Sequence, residues 1–317
     1  MRKYFILIQI LIATLLFTVQ AQAVDTTAAF TQQGTGARPL ALAGAYTALA
    51  NDANGTYWNP AGIAFARTSQ FQGTSTRLFE VDYFSGNFLL KTDPAAWQLS
   101  YLRASIQGLE RTVLDENNDP VETGDTFGYS GAQAMLTGGF KFSPNISCGL
   151  TYKNIEEKID NFSGSGQAFD LGFLYYSNDR KVSIGLAGQN LGKAQLKWNT
   201  DAGTIEALPQ IGRLGIAYRI FDRLLISIDG IARGERPMES AGGAELYLLR
   251  TISEHENSTT TNIPAALIFR GGASRQMSSL GLGIEFDGLV IDYAQANFTE
   301  PLLAEDVIQR VSLGFMF

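Results

Sequence analysis

From about residue 67 to its last residue, this 317-residue chain is written in segments of about ten residues in which apolar side chains alternate with small or polar ones. Trp97, Leu99 and Tyr101 alternate with Gln98, Ser100 and Leu102, and Leu171, Phe173 and Tyr175 with Asp170, Gly172 and Leu174. Leu282, Ile284 and Phe286 alternate with Gly281, Gly283 and Glu285. Val311, Leu313, Phe315 and Phe317 alternate with Ser312, Gly314 and Met316. A period of two puts each set on its own side of a strand. A soluble sandwich alternates too, but seldom over strands this long with glycine at so many inward positions. The pattern predicts an all-β fold, a transmembrane antiparallel β-barrel of about 14 strands with its apolar face toward lipid.

The strands are expected near 68–79, 82–91, 96–106, 130–142, 146–155, 166–177, 181–190, 211–220, 224–233, 240–250, 265–275, 280–286, 289–298 and 309–317. Composition agrees with a wall between lipid and lumen: 45% hydrophobic, only 17% charged, 33 glycines, 20 phenylalanines and 12 tyrosines. The formal net charge of −7 argues against a nucleic-acid partner, which asks for basic patches. The single cysteine, Cys148, has no partner for an internal disulfide and reads as a packing residue.

The first residues carry an address. Met1-Arg2-Lys3, an apolar run from Tyr4 to Val19 and Gln20-Ala21-Gln22-Ala23 form a secretory signal peptide with cleavage near Ala23. The run is too short for a helical anchor, and no second long apolar run follows. The organisation expected is 1–23 signal peptide, 24–66 N-terminal segment and 67–317 barrel, with the mature chain a monomeric barrel in the bacterial outer membrane, in contact with its lipid.

Connections give an independent rhythm. Thr92-Asp93-Pro94, Ser143-Pro144-Asn145, Asn178-Asp179-Arg180, Phe221-Asp222-Arg223 and Asp287-Gly288 are short and fall on one, periplasmic, side. The stretches 107–129, 191–210 and 299–308 are expected as long loops on the other. Residues 251–264 break the rule as a long connection on the short side. The closing strand Val311, Leu313, Phe315, Phe317 is similar to the terminal signal read by the bacterial outer-membrane assembly machinery.

Residues 24 to about 66 lack the two-residue period. Pro39 can open a helix that Ala and Leu sustain up to Asn51-Asp52. Asn59-Pro60 reads as a cap followed by proline at the first helical position. The run Gly36 to Gly62 contains Gly36-Ala37-Arg38-Pro39-Leu40, Gly44-Ala45, Asn51-Asp52-Ala53 and Tyr57-Trp58-Asn59-Pro60-Ala61-Gly62. It resembles the N-terminal signature of FadL-like outer-membrane proteins, especially the PorV/PorQ branch, and the match is specific over these 27 residues. The resemblance implies that this segment forms a helical plug, or hatch, inside the barrel, with Asn59, Pro60, Ala61 and Gly62 as the hatch motif.

Lumen-facing charges are expected at Lys141, Lys153, Asp170, Arg219, Asp229, Glu245, Glu285 and Asp292, paired with one another or with the hatch. Lys153 and Asp170 should lie close, and Glu285 with Asp292 offers a site for a hatch arginine such as Arg38. Nothing calls for catalysis, a cofactor or a metal. The one histidine, His255, lies in a polar stretch, no Gly-x-Ser-x-Gly elbow occurs, and Gly34-Thr35-Gly36 is no dinucleotide fingerprint. Asp115-Glu116-Asn117-Asn118-Asp119 starts like a calcium loop, but Pro120 and Thr126 stand where glycine and glutamate belong.

Two roles follow from the resemblance. A PorV/PorQ-type barrel binds or shuttles the C-terminal domains of exported proteins in type IX secretion. A FadL-like channel takes up hydrophobic small molecules, for which Leu102, Leu174, Ile231 and Met316 fall on the inward phase. A structural barrel without cargo is a third reading.

Overall fold

The computed structural model describes residues 27–234, 236–251, 265–300 and 306–317. The signal segment with Ala23, His255, the 252–264 stretch and residues 301–305 lie outside the described residues. Fifteen strands follow in chain order: β1 (Gln70–Leu78), β2 (Val81–Lys91), β3 (Ala95–Leu114), β4 (Pro120–Ser143), β5 (Ile146–Ile159), β6 (Phe162–Tyr176), β7 (Val182–Trp198), β8 (Ile205–Ala207), β9 (Ile211–Phe221), β10 (Leu224–Arg233), β11 (Glu239–Thr251), β12 (Ala265–Ser274), β13 (Met277–Phe286), β14 (Leu289–Phe298) and β15 (Val307–Met316).

Every pairing is antiparallel, and the ring closes through β1 with β15 and β6 with β7. The short β8 only flanks β7, so fourteen strands form the wall. Closure leaves no sheet edge in the ring below the hairpin tips, the condition for a sheet to sit in lipid. The alternation sets the faces. Trp97, Leu99, Leu282, Ile284, Leu313 and Phe315 are exposed on the outside. Gln98, Ser100, Leu102, Asp170, Leu174, Asp229 and Ser312 are buried inside. Cys148 lies half-buried on the outer phase of β5, between inward Ser147 and Gly149.

The wall is uneven. On the short-turn side the connections are as tight as the sequence suggests. On the opposite side, the 107–129 stretch is not a loop. β3 and β4 continue as a hairpin to a turn at Asp115–Asp119, with Leu109 opposite Phe127 and Val113 opposite Val121. Gly108 and Gly124 adopt positive φ there, and the ladder shifts register, so the strict alternation that marks the wall is lost. The 191–210 stretch likewise continues as β7 to Trp198 and folds back through β8. Height therefore comes from long strands β3 to β7 where the sequence suggests loops.

A charge on the outer face at mid-wall tests this register. Leu282→Arg should cost about 2–4 kcal/mol of folding free energy in lipid vesicles, measured by denaturant titration. Arginine in place of inward Glu285, half-buried at the short-turn mouth, should cost less, because water there can solvate it.

Candidate functional site

Residues 27–66 lie in the lumen, and nearly all are buried. The chain there is mostly irregular. Only Ala37–Ala41 and Gly55–Trp58 form α-helical turns, and Ala29–Gln32 and Pro60–Phe65 are 3-10 turns. The longer helix expected from Pro39 stops at Ala41. Ala43 and Gly44 both adopt positive φ, and the freed backbone groups turn to the wall.

Inward side chains of the strands meet those groups one by one. Ser147 Oγ donates to Ala61 O at 2.8 Å, Ser183 Oγ to Ala48 O at 2.8 Å, and Ser227 Oγ to Ala45 O at 2.8 Å. Ser312 Oγ accepts from Ala37 N at 2.8 Å, and Ser279 Oγ accepts from Ala43 N at 3.0 Å. The Asp229 carboxylate accepts from Tyr46 N at 3.1 Å and Thr47 N at 2.9 Å. Gln98 Nε2 donates to Ala53 O at 2.6 Å, and Gln70 Oε1 accepts from Ala53 N at 2.9 Å. An irregular segment can stay buried only when its backbone is satisfied in this way.

The hatch motif sits at the centre of this arrangement. Asn59 caps the Pro60–Phe65 turn by accepting from Ala61 N at 3.1 Å, and its amide donates to Thr47 O at 2.9 Å and Phe173 O at 3.0 Å. One side chain thus ties two stretches of the segment to β6. The backbone of Pro60 presses on the wall at Gly149, where a Cβ would land on the Pro60 carbonyl. At Gly172 a Cβ would strike the Asn59 side chain, and at Gly62 it would strike the Ala50 carbonyl.

Charge is concentrated in two buried groups. Arg38 donates to Glu245 at 2.7 and 2.9 Å and to Asp52 at 2.9 Å. Tyr46 Oη donates to the same Asp52 oxygen at 2.5 Å. Arg270 bridges Glu245 at 2.8 Å and Asp292 at 2.5 Å. The chain Asp52–Arg38–Glu245–Arg270–Asp292 runs from the luminal segment across β11, β12 and β14. In the second group Lys153 and Asp170 lie 2.7 Å apart, with Lys153 also donating to Asn190 Oδ1 at 2.6 Å. Asn190 N donates to Asp170 at 2.9 Å, so this pair holds the positive-φ bend where β7 departs from β6.

The expected seat of Arg38 on Glu285 and Asp292 is corrected. Arg38 takes Glu245, Arg270 occupies Asp292, and half-buried Glu285 lies at the short-turn mouth. Lys141 and Arg219 are also half-buried at that mouth. Lys141 donates to Asp93 at 2.6 Å and Arg219 to Asp222 O at 3.4 Å. The Lys141 hydrogen bond holds the turn carboxyl of Asp93 below the usual range. Sequence reading passed over buried Arg213, Arg270 and Arg310, although all three fall on the inward phase. Arg213 stacks on Trp58 at 4.9 Å, and Arg310 donates to Gln33 O at 3.2 Å. Asp115 accepts from Asn117 N at 2.8 Å and Asp119 N at 2.9 Å, as a hairpin turn.

A cavity flanks the luminal segment on one side and a packed apolar cluster on the other. A cavity of about 940 Å³ lies on the short-turn side, lined by Arg38, Asp52, Phe65, Tyr176, Arg270 and Asp292 among others. On the tall side, Ala28 and Phe30 join Leu102, Ala104, Ile155, Ala168, Leu196 and Leu208 in an apolar cluster.

A closed wall of fourteen strands with an apolar exterior and a folded chain end in its lumen is a membrane barrel. Its fold is that of the FadL-family outer-membrane barrels. The Pseudomonas putida toluene transporter TodX matches with a TM-score of 0.58 over 90% of this chain and 99% of that chain, at 11% identity. A Pseudomonas aeruginosa FadL homologue matches at 0.55 over 89% and 98%, also at 11% identity. No protein-family model and no curated protein sequence matches the chain.

Glu245 is the hinge of the five-residue charge chain. Glu245→Gln leaves Arg38 and Arg270 facing each other without their shared anion and should cost about 3–5 kcal/mol in denaturant unfolding. Glu285→Gln at the mouth should stay within about 0.5 kcal/mol of the unchanged protein.

Proposed function

We propose that the protein is an outer-membrane channel for apolar small molecules. The apolar cluster around Leu102, Ile155, Leu196 and Leu208 carries this reading. It packs Ala28 and Phe30 of the luminal segment against six or more apolar wall residues in the tall half of the lumen. The buried serines and ion pairs found nearer the short turns are absent from the cluster. A polar solute channel would need a wet path there. The FadL-type fold and the toluene transporter among its structural relatives support the same class of substrate. The substrate class is a small, uncharged, apolar compound. It enters from the tall side and leaves toward the short-turn cavity once the luminal segment shifts.

A second reading is the PorV/PorQ-type carrier that binds exported proteins for type IX secretion. The β3–β4 hairpin supports it. Beyond Tyr129, which pairs with Ile159, β4 has only β3 as a neighbour, so the hairpin offers open strand edges to an extended chain.

Binding of a monoaromatic hydrocarbon to the purified barrel separates the two. For the channel, toluene should raise the unfolding temperature of the full protein, and Leu102→Gln should abolish the shift while glucose gives none. No toluene shift, with exported proteins recovered by pull-down from the native host, would replace the channel by the carrier.

A further inference from the structure

The tall side of the wall carries a feature that transport does not use. On the outer face of β4 to β7, a trough of about 530 Å³ is lined by Ser130, Glu156, Lys158, Ser163, Ser165 and Lys197 among others. Small side chains form its floor, with Lys158 and Glu156 on one flank and Lys197 on the other. The register fixes the arrangement. Lys158 of β5 stands beside Ser163 of β6, and Lys197 of β7 stands beside Ser165 of β6. The two lysines thus stand on the strands on either side of β6, about 10 Å apart across the sheet and two residues apart along it.

Height on the wall says what this trough faces. The lipid-facing band of β5 and β6 ends at Tyr152 and Phe169, whose rings pack at 5.4 Å in the manner of an interfacial aromatic girdle. Ser165 and Ser163 lie four and six residues beyond Phe169 on the same outward phase. At about 3.3 Å per residue on a tilted strand, the trough begins roughly 10 Å above the girdle, at the level of lipid headgroups.

Charge then selects the headgroup. Neither Lys158 nor Lys197 makes an ion pair among the described residues, whereas Lys91, Lys141 and Lys153 all do. The one outward carboxylate in the trough, Glu156 beside Ser165, accepts from Asn154 Nδ2 at 3.2 Å and leaves the two lysines in excess. Serine hydroxyls between two free ammonium groups suit a phosphate carried on a sugar, with ion pairs to the lysines and hydrogen bonds to the floor.

We infer that this trough is a binding site for the phosphorylated sugar headgroup of an outer-leaflet lipid, held by Lys158 and Lys197 over Ser163 and Ser165. The inference rests on the outer-membrane placement proposed above and is independent of what crosses the lumen.

Native mass spectrometry of the detergent-solubilised full barrel tests it. The probes are a bisphosphorylated, acylated glucosamine disaccharide, the same lipid stripped of phosphate, and inorganic phosphate as competitor. The phosphorylated lipid should be retained, and the stripped lipid should be lost. The double variant Lys158→Ala, Lys197→Ala should bind the phosphorylated lipid about tenfold more weakly, and Lys158→Arg, Lys197→Arg should retain it. Heat-modifiable migration on gels checks that each variant is folded. Equal retention by the alanine variant, or of the stripped lipid, would overturn the site. Full displacement by inorganic phosphate would make it a free-phosphate site and overturn the headgroup assignment. Loss of toluene binding would sink the channel and leave these results unchanged.

Discussion

The structure depends on one constraint: an irregular stretch of backbone is buried inside a barrel, and the wall must satisfy it. In a helix or sheet the chain answers its own hydrogen bonds. Between Ala37 and Ala61 it does so only in part, and Ser147, Ser183, Ser227, Ser279, Ser312 and Asp229 of the wall answer eight further peptide N–H and C=O groups. Contact this close leaves no room for side chains on the wall, which is why glycine stands at Gly149, Gly172, Gly185 and Gly272. The wall and the luminal segment are therefore matched surfaces, each explaining the other's composition.

Electrostatics follow from the same burial. Charges inside a closed wall are costly without a partner, and the carboxylates of the luminal network each have one. Glu245 and Asp292 share Arg270, and Glu245 also takes Arg38 from the luminal segment. This chain is the ionic tie between segment and wall, and it borders the short-turn cavity. A rearrangement that opens a path must either keep Arg38 with Glu245 as a pivot or provide both with new partners. The neutral serine bonds, each about 1 kcal/mol net, are easier to exchange with water.

Much of this was legible in the sequence. The two-residue period located the wall strands, and the faces follow from it at every strand quoted. Asn59 was singled out by its neighbours Pro60 and Ala61, and it ties Thr47 to Phe173. Other features were hidden for physical reasons. A glycine on an inward phase looks the same whether it faces water or a carbonyl, so the seats at Gly149 and Gly272 had no mark of their own. The hairpin from Gly108 to Gly124 lost its period through positive-φ glycines and acidic residues, and it read as a loop. The helix from Pro39 was overridden because wall groups outcompete the helical ladder. Glu285 and Asp292 look open to Arg38 in the sequence because nothing in the two-residue period marks Arg270 as the nearer claimant for Asp292.

The central claim is that residues 37–64 are packed as firmly as the wall that surrounds them. Amide hydrogen exchange of the full barrel in lipid nanodiscs tests it most directly. The account predicts that the amides of Ala37, Ala43, Tyr46, Thr47 and Ala53 exchange as slowly as those of β12 to β14. Exchange of these amides at the rate of the exposed Asp115–Asp119 turn would contradict it.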